Sequence, residues 1–394
     1  MLSVDKKIIE SNSSPLDVVV VSNNYPNNRE PNRGAFVYNL VQELVKQEND
    51  ISVIAPIKLH QYFSYLRNRR DGRSNYGTEH CEVYRPVYIS LGNRKILGID
   101  LGKITFWFMQ LSVRRCFRYK IKKCDLLYAH FLINAMTVLE IATKERIPLI
   151  VASGESKYRD LALWSEDKIK RLVNQISYYI AVSQYNKEEL LKIGVLEDRI
   201  SIVPNAVDYD RFCPKDKKIS REKLNLYNKK FIVGFIGHFI DRKGPNRLIK
   251  AVENLNDPEI MVICVGKGEI EKKDFVTVIE PMANDKLPDL INCFDIFVLP
   301  TLAEGHCNII EEVMACGVPV ISSLGTSVEK QIDSETGILI NPIDIDQIGE
   351  AIKILKADFA YRNRLHENLL KKRGEWSLQK RAKKINKIYK EVVK

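Results

Sequence analysis

Two glutamates separated by seven residues, Glu304 and Glu312, stand in TLAEGHCNIIEEVMACGVPVISS (301–323), directly after the apolar run FDIFVLP. An ionised carboxylate accepts two hydrogen bonds at once, so each suits a pair of hydroxyls such as a sugar ring presents. Between them lie Gly305, His306, Cys307 and Asn308. Asn308 followed by Glu311 has capping-box spacing and predicts a helix starting there, closed by Gly317 and Pro319. A helix start behind a glycine-bearing loop offers free N–H groups and the positive dipole end to an anion. A second cluster, GHFIDRKG (237–244), sets His238, Arg242 and Lys243 in a turn that opens on Gly237. His130, in LLYAHF, is open to two readings: a proton donor in a cleft, or a satisfied histidine at a strand end.

Positioning these groups falls to a recurring unit. Short apolar runs (VVVVS 18–22, ISVIAP 51–56, LLYAHF 126–131, PLIVAS 148–153, YYIAVS 178–183) alternate with amphipathic stretches such as AFVYNLVQELVKQ (35–47). The pattern restarts with FIVGFIG (231–237) and continues through IMVICVG, FVTVIEP, IFVLP and VPVISS. Fully apolar strands alternating with helices predict parallel sheets covered on both faces. The fold class is therefore α/β: two doubly wound Rossmann-like domains facing across a cleft, with ligands beyond the carboxyl ends of the strands. The expected organisation is a polar tail over 1–16, an N-terminal domain over 17–210, a C-terminal domain over 211–375, and a last helix over 376–394. SLQKRAKKINKIYKEVV (377–393) carries apolar residues at helical spacing.

Length and composition narrow the classes. A chain of 394 residues predicts two domains. Its eight cysteines include no CxxC pair and no Cys/His set at zinc-ligand spacing, which reads as reduced, mostly buried thiols. The polar N-terminus has no signal-peptide core, and no uncharged run reaches the length of a membrane span. A cytoplasmic protein is expected. The net charge of +11 is concentrated: residues 58–123 hold 15 Lys and Arg against 4 acids, interleaved with Phe, Trp, Tyr and Leu. Such a stretch either rests on an anionic bilayer, on the inner face of the plasma membrane, or is the solvated flank of a core helix over 104–113. No nucleic-acid recognition module is present.

The ordered set of motifs resembles family 4 retaining glycosyltransferases of the GT-B fold. E-x7-E with Asn at 308 resembles the branch that builds bacterial surface polysaccharides. NNYPNNREPNRGAFVYNL (23–40), VPNAVDYDRF, GHFIDRKG, VGKGE, FDIFVLP and TGILINP are similar to further family segments, so the likeness runs from about 17 to 393. The resemblance implies that Glu304 holds hydroxyls of the donor sugar and Glu312 those of the ribose. Backbone from Gly305 to Asn308 would lie near sugar and phosphate, Lys243 would neutralise the leaving diphosphate, and Gly34 and Gly237 would let backbone approach phosphate. Base contacts are implied near Ile279 and Pro281, by backbone atoms. Asn24, Tyr25, Arg33, Gly154 and Glu155 would line the acceptor side of the N-terminal cleft. The family generally uses no metal, and no DxD-like motif is present. The donor implied is a nucleotide diphosphate sugar, a UDP-sugar first, and no other cofactor. The acceptor implied is a glycan, lipid-linked, and the last helix is expected to cross back to the N-terminal domain. Three positions depart from the pattern. His238 replaces the usual arginine, so that either Arg242 or His238 itself meets phosphate. EGHCN brings His306 and Cys307 into the loop, and SGES (153–156) replaces the usual HG.

Overall fold

The computed structural model describes residues 15–27, 30, 33–68, 78, 80–92, 94–155, 164–226, 230–304, 306–374 and 377–394. Gly305, singled out in the sequence, and Trp376, where the last helix was expected to begin, lie outside the described residues.

Each apolar run becomes a strand. Seven parallel strands form the first sheet, in the order 200–202, 178–181, 149–153, 126–130, 17–21, 50–54, 81–84. Val18 to Val21 are 0–1% exposed, as a strand covered on both faces must be. A sequence scan for apolar runs passes over Cys81–Tyr84 and Ile200–Ile202, because these are edge strands with half-exposed residues. Six parallel strands form the second sheet, in the order 276–279, 260–265, 231–236, 296–299, 320–323, 337–340. Its order reverses between Phe231–Ile236 and Ile296–Leu299, where Val233 opposes Ile296 and Gly234 opposes Phe297. The loops leaving the carboxyl ends of those two strands therefore meet, and they carry Lys243 and Glu304.

The last helix, Leu378–Val393, begins at Ser377, whose hydroxyl accepts from Lys380 N at 3.2 Å. Its apolar stripe, Leu378, Ala382, Ile385 and Tyr389, joins the core between the first sheet and helix Ala35–Val45. Asn49 Nδ2 donates to Asn386 Oδ1 at 3.2 Å across that contact. The chain thus returns to the first sheet after completing the second, as the family resemblance implies.

Candidate active site

The turn after strand Phe231–Ile236 is a single 3-10 turn, Asp241–Lys243, that ends in Gly244 at φ 77°. A Cβ at Gly244 would lie 2.4 Å from the carbonyl oxygen of Pro300, so only glycine lets the two loops approach this closely. The contact is zipped by Leu302 N and Thr301 Oγ1, which donate to the Arg242 carbonyl at 2.7 and 3.1 Å. Glu304 Oε1 then receives Lys243 Nζ at 2.5 Å, Arg242 Nη1 at 2.9 Å and the Thr301 hydroxyl at 2.9 Å. Its side chain is 10% exposed and that of Lys243 12%. A carboxylate and two cations are thus held together at the switch point of the sheet. Arg242, rather than His238, reaches the cluster; His238 is solvent-exposed.

Helix Asn308–Ala315 starts where expected but is capped differently. Cys307 occupies the cap position without a side-chain cap bond, so the capping box read from Asn308 and Glu311 is corrected. Asn308 instead accepts from Asn205 Nδ2 at 2.8 Å, joining the second sheet's helix to the segment that leaves the first. Glu311 is turned inward, 6% exposed, with Oε1 2.8 Å from His306 Nε2. The Cys307 amide donates to Gln331 Oε1 at 3.0 Å, so it is already engaged within the fold. Burial pushes the Cys307 thiol up to about 12, which makes it an inert packing group. Glu312 is the exception. Burial, reinforced by neighbouring Glu311, pushes its carboxyl up to about 7. Asn284 Nδ2 approaches Glu312 Oε1 at 3.4 Å, and Arg211 Nη1 holds Asn284 Oδ1 at 2.9 Å. Ile279 closes strand Val276–Ile279, its carbonyl accepting from Gly266 N at 3.1 Å, and Pro281 is exposed just beyond. Gly237 has no heavy atom within 3.7 Å of a built Cβ, apart from its chain neighbours, so sterics do not demand glycine there.

On the first sheet, Gly34 caps helix Ala35–Val45 at φ 64°, and a Cβ there would lie 1.9 Å from the Asn24 carbonyl oxygen. The Asn24 loop is pinned by Ser22, whose Oγ donates to Asn24 O at 3.0 Å. Its neighbour Asn23 is pinned by Asn134, whose Oδ1 accepts from Asn23 N at 3.0 Å. Of the other residues expected on the acceptor side, Tyr25 is buried, and Arg33, Gly154 and Glu155 are half-buried. Tyr25 is 2% exposed against Tyr38, and Arg33 pairs with Glu30 at 3.0 Å. Glu155 spends both carboxylate oxygens locally: Leu132 N donates to one at 2.7 Å, and Ser153 Oγ and Gly154 N to the other at 2.9 Å each. Burial outweighs these bonds and raises its carboxyl. Gly154 packs under Val182. His130 is 2% exposed among Phe36, Tyr128 and Phe131; burial, then the nearby Arg381, lowers it to about 3. The ring is neutral and lies in the core rather than on an open wall. Thr301, Asn284, Gln331 and Asn134 escaped sequence reasoning, because polar residues in loops and helices carry no periodic signal.

Two parallel sheets, each doubly wound, with the polar cluster at the carboxyl ends of the second, make up the GT-B glycosyltransferase fold. Sucrose-phosphate synthase from Thermosynechococcus elongatus superposes with a TM-score of 0.75 at 17% identity, covering 96% of this chain and 99% of that one. Anabaena Alr3699/HepE in complex with UDP-glucose superposes at 0.71 and 16% identity, covering 95% and 100%. Residues 34–211 match Glycosyltransferase Family 4, and residues 216–372 match Glycosyl transferases group 1. The chain belongs to glycosyltransferase family 4. Among sequence relatives, TuaC of Bacillus subtilis (strain 168), assigned as a teichuronic acid biosynthesis glycosyltransferase, is 24% identical over 96% of this chain and 99% of its own length. A D-inositol 3-phosphate glycosyltransferase of Stackebrandtia nassauensis is 23% identical over 61% of this chain and 62% of its own. A GDP-mannose-dependent monoacylated phosphatidylinositol monomannoside mannosyltransferase of Corynebacterium glutamicum is 23% identical over 57% and 65%.

Proposed function

We propose that this glycosyltransferase moves a hexosyl or N-acetylhexosaminyl group from a nucleotide diphosphate sugar, a UDP-sugar first, to a hydroxyl of a lipid-linked glycan. The setting is surface-polysaccharide synthesis at the inner face of the plasma membrane, with retention at the anomeric carbon. The observation that carries the reading is Glu304 held between Lys243 and Arg242 at 2.5 and 2.9 Å. In the free protein the carboxylate offsets two cations. When a diphosphate arrives, its oxygens take over the cations, and Glu304 is released toward the sugar hydroxyls. Lys243 and Arg242 then stabilise the charge that grows on the departing diphosphate, so the reaction proceeds without a divalent ion. Glu312, in its carboxylate form, accepts from the two ribose hydroxyls. Gly34 admits the N-terminal backbone to the phosphates, and the chain around Ile279 and Pro281 meets the base. The B. subtilis relative supports a polysaccharide acceptor and the HepE complex supports UDP. The D-inositol 3-phosphate relative favours a second reading, a small soluble acceptor.

The first test is thermal stabilisation by UDP-, GDP- and ADP-sugars, with Glu312→Ala as control. A ligand that binds only the folded state raises its midpoint. One nucleotide should stabilise the wild type and lose its effect in the variant; no response to any donor would count against the reading. With the donor known, NMR of the product gives the anomeric configuration, and a β-product from an α-donor would refute retention.

A further inference from the structure

The basic segment of the first domain is not used by the chemistry above, and over residues 94–123 the structure gives it a definite shape. Strands Lys95–Ile96 and Ile99–Asp100 form a two-stranded hairpin whose turn places Leu97 at φ 48° and 97% exposed. Ile96 and Ile99 beside it are 54% and 55% exposed. Helix Leu101–Cys116 follows at once, capped by Asp100, and its outer face carries Lys103, Trp107, Leu111 and Arg115 at four-residue spacing. All four are exposed, Trp107 at 55%. Folding in water buries apolar side chains of this size, so five exposed ones on one hairpin and the helix that follows it, bracketed by cations, call for a partner. Alongside runs a groove of about 540 Å³, walled by Val87, Ile89, Phe108 and Leu111 and rimmed by Arg115 and Lys120. Among the described residues, the segment's acids are occupied elsewhere. Glu82 takes the Tyr84 hydroxyl, and Asp100 accepts from the amides of Gly102 and Lys103.

We propose that this hairpin and helix face dock on an anionic bilayer. Leu97 and Trp107 enter the interface, Lys103 and Arg115 meet lipid phosphates, and the groove receives a hydrocarbon chain of the same leaflet. Charge complementarity selects this occupant: apolar tips flanked by lysine and arginine match the layered polarity of headgroup over acyl chain. The proposal deepens the lipid-linked reading above and rests on it only for why the enzyme should meet a bilayer. The docking itself needs neither donor nor acceptor.

The full chain is floated with vesicles of phosphatidylglycerol and phosphatidylcholine mixed, and with phosphatidylcholine alone. Wild type is expected to float with the anionic vesicles and to be released by added salt. Leu97→Ser and Trp107→Ser should each lower partitioning by about tenfold, the scale of one large buried apolar side chain. Lys103→Ala and Arg115→Ala should each lower it about fivefold. Circular dichroism and nucleotide-induced stabilisation should be unchanged, since these side chains lie outside the core. Absence of flotation, equal flotation on neutral vesicles, or variants that float like wild type would each overturn the proposal. So would variants that alter only self-association in sedimentation, which would make the ridge a contact between copies. Transfer to a soluble glycan is assayed on the same preparations. If it persists while flotation fails, the docking surface is refuted and the glycosyltransferase reading stands.

Discussion

Glu312 carries opposite burdens in stability and in binding, and one substitution separates them. Its carboxyl sits at about 7 instead of 4.5, chiefly through burial. Each pH unit corresponds to about 1.4 kcal/mol, so holding it ionised costs the folded state about 3 kcal/mol relative to the unfolded chain. The sign follows from proton uptake. Between 4.5 and 7 the folded form binds the extra proton, so stability falls as pH rises through that window and the penalty is constant above it. Glu312→Gln keeps the shape and removes the charge. At pH 8 the variant should be more stable than wild type by up to about 3 kcal/mol, or about 6–12 °C in the melting temperature of a domain this size. Near pH 4.5 the two should coincide. Binding should move the other way. A ribose diol needs the carboxylate, which is about one tenth populated at pH 6 and about nine tenths at pH 8. Donor affinity of wild type should therefore rise about tenfold between these values, while that of the glutamine variant stays flat and weak. Calorimetric melting and nucleotide titration at pH 4.5, 6 and 8 measure both. A variant no more stable than wild type at pH 8, or a wild-type affinity indifferent to pH, would refute the reasoning.

Three further outcomes follow from the same geometry. Lys243→Met removes a cation from the departing diphosphate and should lower kcat by about 10²–10³ with a smaller change in KM, read by nucleotide release; the wild-type rate should be unchanged by EDTA. Gly34→Ala must place a Cβ 1.9 Å from the Asn24 carbonyl oxygen at φ 64° and should cost about 1–2 kcal/mol from the left-handed backbone alone, more with the clash, measured by denaturant midpoint. His130, lowered to about 3, is neutral above pH 5, so His130→Gln should leave the positions of the limbs of the pH–rate profile unchanged.

What the sequence revealed, and what it hid, divides along physical lines. Parallel strands buried on both faces read as apolar runs, which is why 18–21, 231–236 and 296–299 were legible. The edge strand Cys81–Tyr84 and the hairpin Lys95–Asp100 were not, since the first is half-exposed, the second is exposed on both faces, and no run builds up. Lys243 and Glu304 are 61 positions apart, and their meeting depends on the pairing of Gly234 with Phe297. Only the family likeness supplied it beforehand. Asn308 and Glu311 show the opposite failure. Their spacing is that of a capping box, but local spacing holds no record of Asn205 and His306, which claim those side chains in the folded chain. Tyr25 and Glu155 show the same limit of local spacing: Tyr25 packs on Tyr38, and Glu155 accepts from Leu132 N, Ser153 Oγ and Gly154 N. A polar group at a strand end can face a cleft or tie down a neighbouring helix, and only tertiary contacts decide between them.

Arg381 tests how this fold tolerates a charge it has enclosed. It lies on the last helix, 3% exposed, and neither Nε nor Nη2 has an acceptor among the described residues. Its electrostatic neighbours are Tyr128, Glu311 and Tyr389, and it helps burial to keep His130 neutral. Glu311 could balance the guanidinium, but its Oε1 is engaged by His306 and its Oε2 has no donor among the described residues. Removing a guanidinium from water is repaid only when its donors are satisfied, and here two are not. An apolar residue of similar length should therefore serve folding as well or better. Arg381→Met is expected to unfold at the same denaturant concentration as wild type or a higher one, by up to about 2 kcal/mol. Arg381→Ala, which leaves a cavity among Tyr128 and Tyr389, should be less stable than the methionine variant. If methionine instead destabilised the chain by more than about 2 kcal/mol, the guanidinium would have to be bonded through ordered water or to Glu311, and the account of an unsatisfied charge would be wrong.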